Sequence, residues 1–218
     1  MADQEGPGGK EPLPDPGYTA FEKWEHRPTI YRLDHDQSWI DMGESFYRAS
    51  VALIEGVVNG GLYEDIEGIA GVYLFRHYLE LVLKRIVLRG RSLLREDENT
   101  PGNEIKQVAN IHELSVLWDW VLQDSKPKIP EGDWSGWDIS FVEKCVAEFD
   151  TVDQKGFAFR YPRQGGENCR FDYPWLLHTM NHVQQVLDGI LTYLIEMHAQ
   201  NAEWDSYLEA EYGSDMYY

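Results

Sequence analysis

The sequence predicts an all-α fold, a four- to five-helix bundle, on three observations. Apolar residues recur at helical spacing in long runs, and turn residues separate those runs. One run, residues 66–88, is apolar on almost every face, the pattern of a helix that must be buried. Strand-like alternation is confined to one short stretch, too little to build a sheet.

Residues 1–30 hold most of the early Pro and Gly and read as a flexible N-terminal tail with an anchor at Phe21 and Trp24. The helical bundle domain is assigned to residues 31–205, and residues 206–218 read as an acidic, aromatic C-terminal tail. The first helix runs from about 37 to 58. Ile40, Phe46, Val51, Leu53, Ile54 and Val57 supply its apolar side, and Asn59-Gly60-Gly61 stops it. The second helix, 66–88, ends near Arg89-Gly90. Residues 91–110, charged and carrying Pro101-Gly102, read as a loop. A third helix covers about 111–123 and is terminated by Pro127 and Pro130. Trp134 and Trp137 flank a turn, and a fourth helix covers about 139–149. Phe157, Phe159 and Tyr161 alternate with Ala158 and Arg160, and Gly165-Gly166 can close a small hairpin or loop insertion near 157–170. Pro174 then opens the last long helix, about 175–200.

At 218 residues, 43% hydrophobic and 13% aromatic, the chain can bury a substantial core. Two cysteines, Cys145 and Cys169, cannot build a disulfide framework, and neither lies in a CxxC pair. The N-terminus has no basic region followed by an apolar one, and no apolar run reaches the ~18 residues that span a bilayer. A cytoplasmic protein without membrane attachment is expected. The net charge of −19 repels phosphate backbones at long range and disfavours general DNA binding. Clustered cations can still meet RNA within a Debye length of about 8 Å. Basic protein partners fit the acidity better.

The buried-helix pattern of 66–88 is broken by Arg76, His77, Glu80 and Lys84. At roughly 100° per residue these four share one face. They form either an ion-pair ladder or buried network holding the bundle in register, or one wall of a cleft. In the cleft reading Arg76 and Lys84 bind an anion, His77 transfers protons and Glu80 orients a cation. Arg160, set between aromatics, either clamps Glu80, Asp150 or Asp153 or reads a phosphate or base. His112 opens the third helix, where a neutral imidazole is favoured. His178 and His182 have HxxxH spacing; a polar helix face is the expected reading, and no metal site is assigned. GxGxxG, GxxxxGK[ST], GxSxG and EF-hand patterns are absent, and no cofactor is expected.

The order of FRHYLELVLK (75–84), HELSVLW (112–118) and FRYP (159–162) before a long final helix resembles bacterial HEPN-type helical-bundle proteins over about residues 37–200. The resemblance implies a bundle of four or five helices that often dimerises and works in phage-defence or toxin–antitoxin settings. Active members are metal-independent ribonucleases whose motif is Arg, four to six residues, then His. Here Arg170 and His178 are separated by seven residues, as are Arg27 and His35, so the strict motif is missing. The expected function is therefore a binding or regulatory module, with a protein partner or self-association through an aromatic helix face. Its recognition residues are Arg76, Glu80, Lys84, His112 and Arg160. The alternatives are an RNA-cleaving enzyme using His77 or His178 with Arg76 or Arg160, and an acidic antitoxin or nucleic-acid mimic.

Overall fold

The computed structural model describes residues 36–92, 101–153 and 170–212, within a unit that runs from His35 to Tyr218. No strand occurs among the described residues; the fold is all-α. Five helices of eleven residues or more form the bundle: α1 (Asp36–Val58), α2 (Ile69–Ser92), α4 (Leu114–Asp124), α6 (Ile139–Val152) and α7 (Tyr173–Tyr212). Two short helices, α3 (Pro101–Ala109) and α5 (Glu131–Gly136), lie between them.

The helix at the centre is α2. Val72, Phe75, Leu79, Leu83, Ile86 and Val87 are fully buried on it, each side chain contributing about 1.5–3 kcal/mol of hydrophobic stabilisation. It packs against α1, α4, α7 and α3, which is why its apolar residues occupy nearly all faces. Two glycines bring neighbours close. A Cβ on Gly71 would lie 2.7 Å from Ile54 Cδ1 of α1. One on Gly90 would lie 3.2 Å from the Asp124 backbone at the end of α4.

Cross-helix polar contacts set the register. Ser50 Oγ, fully buried, donates to Gly71 O at 2.8 Å. Tyr47 Oη donates to Asn181 Oδ1 at 2.7 Å, joining α1 to α7. The N-terminus of α4 is capped from another helix: Asp150 of α6 accepts from Leu114 N at 3.0 Å and Ser115 Oγ at 2.6 Å. A carboxylate suits this position because the first amides of a helix lack intrahelical partners and the dipole end is positive.

Four features differ from the sequence reading. The supposed loop 91–110 contains α3. Pro101 occupies its first position, where the missing N–H costs nothing, and Val108 is fully buried. Trp134 lies within α5, and Trp137 caps it. The second helix, expected from residue 66, becomes α-helical only at Ile69. After Gly60 (φ +73°, a conformation that favours glycine) the chain enters a π-helical turn, Glu64–Gly68, whose Gly68 amide reaches back to Tyr63 O. The 157–170 insertion lies outside the described residues apart from Arg170. The last helix extends to Tyr212, beyond its expected end near residue 200. No described helix is long and apolar enough to cross a membrane.

Candidate functional site

Three ionisable side chains on one face of α2 are buried together. Arg76, Glu80 and Lys84 are 1%, 4% and 3% exposed, and Asp153, just past α6, is fully buried. Isolated charges in such an environment would be prohibitively costly, so each must be paired. Arg76 Nη1 donates to Glu80 Oε2 at 2.5 Å, and Lys84 Nζ donates to Glu80 Oε1 at 2.7 Å. Arg76 Nε faces Asp153 Oδ2 at 3.7 Å, an ion pair too long for a hydrogen bond. Two cations therefore meet two carboxylates, and the cluster closes without net charge.

Arg76 Nε makes no hydrogen bond, but the terminal nitrogens of Arg76 and the ammonium of Lys84 also reach backbone carbonyls. Arg76 Nη2 donates to His112 O at 2.5 Å and, more weakly, to Asp153 O at 3.4 Å. Lys84 Nζ donates to Ala109 O at 2.9 Å. Ala109 ends α3 and His112 lies in the link to α4, so α2 grips the α3–α4 connection through two cations. Burial pushes the Glu80 carboxyl up, but the hydrogen bond and charge of Lys84, the His112 hydrogen bond and the Arg76 charge outweigh it. The carboxyl is held below its usual value of 4.5.

His112 is the exit from this cluster to the surface. Its side chain is 55% exposed, and its Nδ1 lies 2.9 Å from Glu80 Oε1. An ionised carboxylate can only accept, so Nδ1 carries the proton. In the neutral ring Nε2 is then the acceptor. A buried carboxylate thus fixes the tautomer and orientation of an accessible imidazole, the arrangement by which proteins position a base or a ligand atom.

The other sequence candidates fall elsewhere. His77, one residue from Arg76, turns to α1. Its ring meets Phe46 edge-on at 4.5 Å and stacks with Tyr73 at 6.2 Å. His178 is exposed on α7, between Trp175 at 5.3 Å and His182 at 6.4 Å. Arg160 lies outside the described residues. Asp153, which sequence reasoning offered only as a partner for Arg160, is instead the second carboxylate facing Arg76.

A second carboxylate–imidazole pair was not anticipated. His182 Nε2 lies 3.2 Å from Asp138 Oδ2, and the same carboxylate caps α6 through Phe141 N at 3.3 Å. The His182 hydrogen bond is the main reason the Asp138 carboxyl sits below its usual range, with Phe141 N–H and Ser140 helping against partial desolvation. The HxxxH spacing was the only hint of it. Among the described residues no group of three or more His, Cys, Asp or Glu side chains could hold a metal ion. Cys145 is buried, and burial, with a lesser contribution from Glu148, pushes its thiol up to about 12. It is therefore a poor nucleophile.

Compared with known proteins, the chain matches no family model, no curated protein and no solved structure.

Proposed function

We propose that this chain is a HEPN-like helical module that binds and regulates a partner, with His112 as the recognition group its buried cluster supports. One observation carries the reading. Arg76 and Lys84 direct their hydrogen bonds to Glu80 and to the carbonyls of Ala109, His112 and Asp153. Cations engaged in this way hold a scaffold; they are poorly placed to cradle a phosphate that must come and go. A protein or RNA partner meeting His112 from solvent would find a hydrogen-bonding group already ordered, which lowers the entropic cost of association. The setting consistent with the resemblance is phage defence or a toxin–antitoxin pair. The acidity also suits an antitoxin-like grip on a basic protein.

A metal-independent ribonuclease is the second reading. What favours it is the pair of carboxylate-oriented imidazoles, Glu80–His112 and Asp138–His182, the latter beside His178. In that reading an imidazole removes the 2′-hydroxyl proton, and an arginine such as Arg170 stabilises the charge on phosphorus.

Incubating the purified chain with total RNA, with and without EDTA, separates the two. The module reading expects intact RNA in both. EDTA-resistant cleavage that disappears in His112→Ala, His77→Ala or His178→Ala would replace it with the enzyme.

A further inference from the structure

We propose that the shoulder joining α1 to α2 docks a cationic amphipathic segment of a partner protein. This rests on the binding-module reading and deepens it by naming a partner class. Of the six large hydrophobic side chains most exposed among the described residues, four lie between residues 58 and 69: Val58 at 39%, Tyr63 at 69%, Ile66 at 62% and Ile69 at 39%. Scattered exposed apolar residues need no explanation, but concentration on one short segment marks an interaction surface. The segment has nothing to gain from leaving Ile66 in water unless something covers it.

The backbone reinforces the point. A π-helical turn, Glu64–Gly68, breaks the regular helix here, and such turns are rare and concentrate at functional sites. The turn is held firmly from beneath. Tyr173 Oη of α7 donates to Glu64 O at 2.7 Å, and the Tyr173 ring packs where a Gly68 side chain would otherwise be. Glu67 Oε2 accepts from Tyr63 N at 2.9 Å. Tyr63 and Ile66 are therefore presented on a fixed platform.

Charge identifies the occupant. From Ala49 to Phe75 the sequence contains no Lys, Arg or His, while Glu55, Glu64, Asp65 and Glu67 fall in the same stretch. The field they create is felt nearby: the Tyr173 phenol is raised by burial and then by Glu64 and Asp65. A second copy of this chain is a poor occupant, because a two-fold contact would set these carboxylates against their own counterparts. A segment with apolar residues on one face and Lys or Arg flanking them satisfies both features.

The test uses the full chain and a synthetic Leu/Lys amphipathic peptide, followed by amide chemical shifts. The expected result is shift changes confined to residues 55–69 and binding that weakens as salt approaches about 1 M, where the Debye length is ~3 Å. Tyr63→Ala/Ile66→Ala and Glu64→Gln/Asp65→Asn should each weaken affinity at least about tenfold, a loss of ~1.4 kcal/mol. These substitutions leave the Tyr173 and Glu67 hydrogen bonds intact, and an unchanged thermal midpoint verifies the fold. Shifts centred elsewhere, affinity unchanged in both double variants, equal binding of a Leu/Glu peptide, concentration-dependent self-association through residues 55–69, or no binding would each overturn the proposal. None of these touches the module reading, which falls only on EDTA-resistant RNA cleavage.

Discussion

Glu80 joins three ionisable side chains: it accepts from Arg76 and Lys84 and orients His112. Glu80→Ala would leave two buried cations facing only Asp153 and backbone carbonyls. The expected loss is about 3–5 kcal/mol, read as a lower urea midpoint. The pH dependence follows from the direction of the Glu80 shift. Its carboxyl is held below 4.5 in the folded chain, so the stabilisation is fully present above the unfolded value and fades as pH falls through the folded one. Urea midpoints of wild type and Glu80→Gln should therefore converge as pH drops below about 4.3. A constant gap across the acid range would show that Glu80 is not the titrating group. The stripe of Arg76, Glu80 and Lys84 was legible in the sequence because i,i+4 spacing is local. The sequence reading grouped His112 with that stripe as a recognition residue, but the Glu80–His112 contact itself was not legible, because only the α3–α4 connection brings the two residues together. The fate of His77 was hidden for a related reason. Helical angle placed it with the stripe, but Phe46 of α1 offered an aromatic surface on the other side.

Among elements, the long helices were readable from periodicity, and the end of α1 from Asn59-Gly60-Gly61; Gly90, expected near the end of α2, lies within that helix, which runs on to Ser92. The short helix α3 was not, because charged residues obscure its apolar side, of which Val108 is the buried member. The π-helical turn had no sequence signal beyond the acidic run Glu64-Asp65-Ile66-Glu67. The α2–α4 packing offers a direct check. A methyl group added at Gly90 meets Asp124 backbone at 3.2 Å, and backbone cannot rotate aside. Gly90→Ala should destabilise by about 1–3 kcal/mol, the range for overpacking, despite the better helix propensity of alanine. A thermal midpoint equal to or above wild type would mean that α4 yields easily.

For the molecule as a whole, α2 is enclosed by its neighbours, while among the described residues α7 continues past its last buried side chain. At 40 residues α7 is about 60 Å long. Leu194 is its last buried residue through Glu203. Helices without tertiary packing are marginal in water. Amide exchange should therefore be graded: the exposed residues 199–203 exchange early, and the amides of Val72–Val87 exchange only on global unfolding. Uniform protection along α7 would reveal a contact that supports its far end.

The closed charge cluster also limits how such a chain can drift over generations. Changing Arg76, Glu80 or Lys84 alone strands a charge in a dry interior, whereas replacing all of them with well-packed apolar residues can be neutral or better. Kindred sequences should therefore fall into two camps at these positions, retaining the whole set or lacking it, with few intermediates between them.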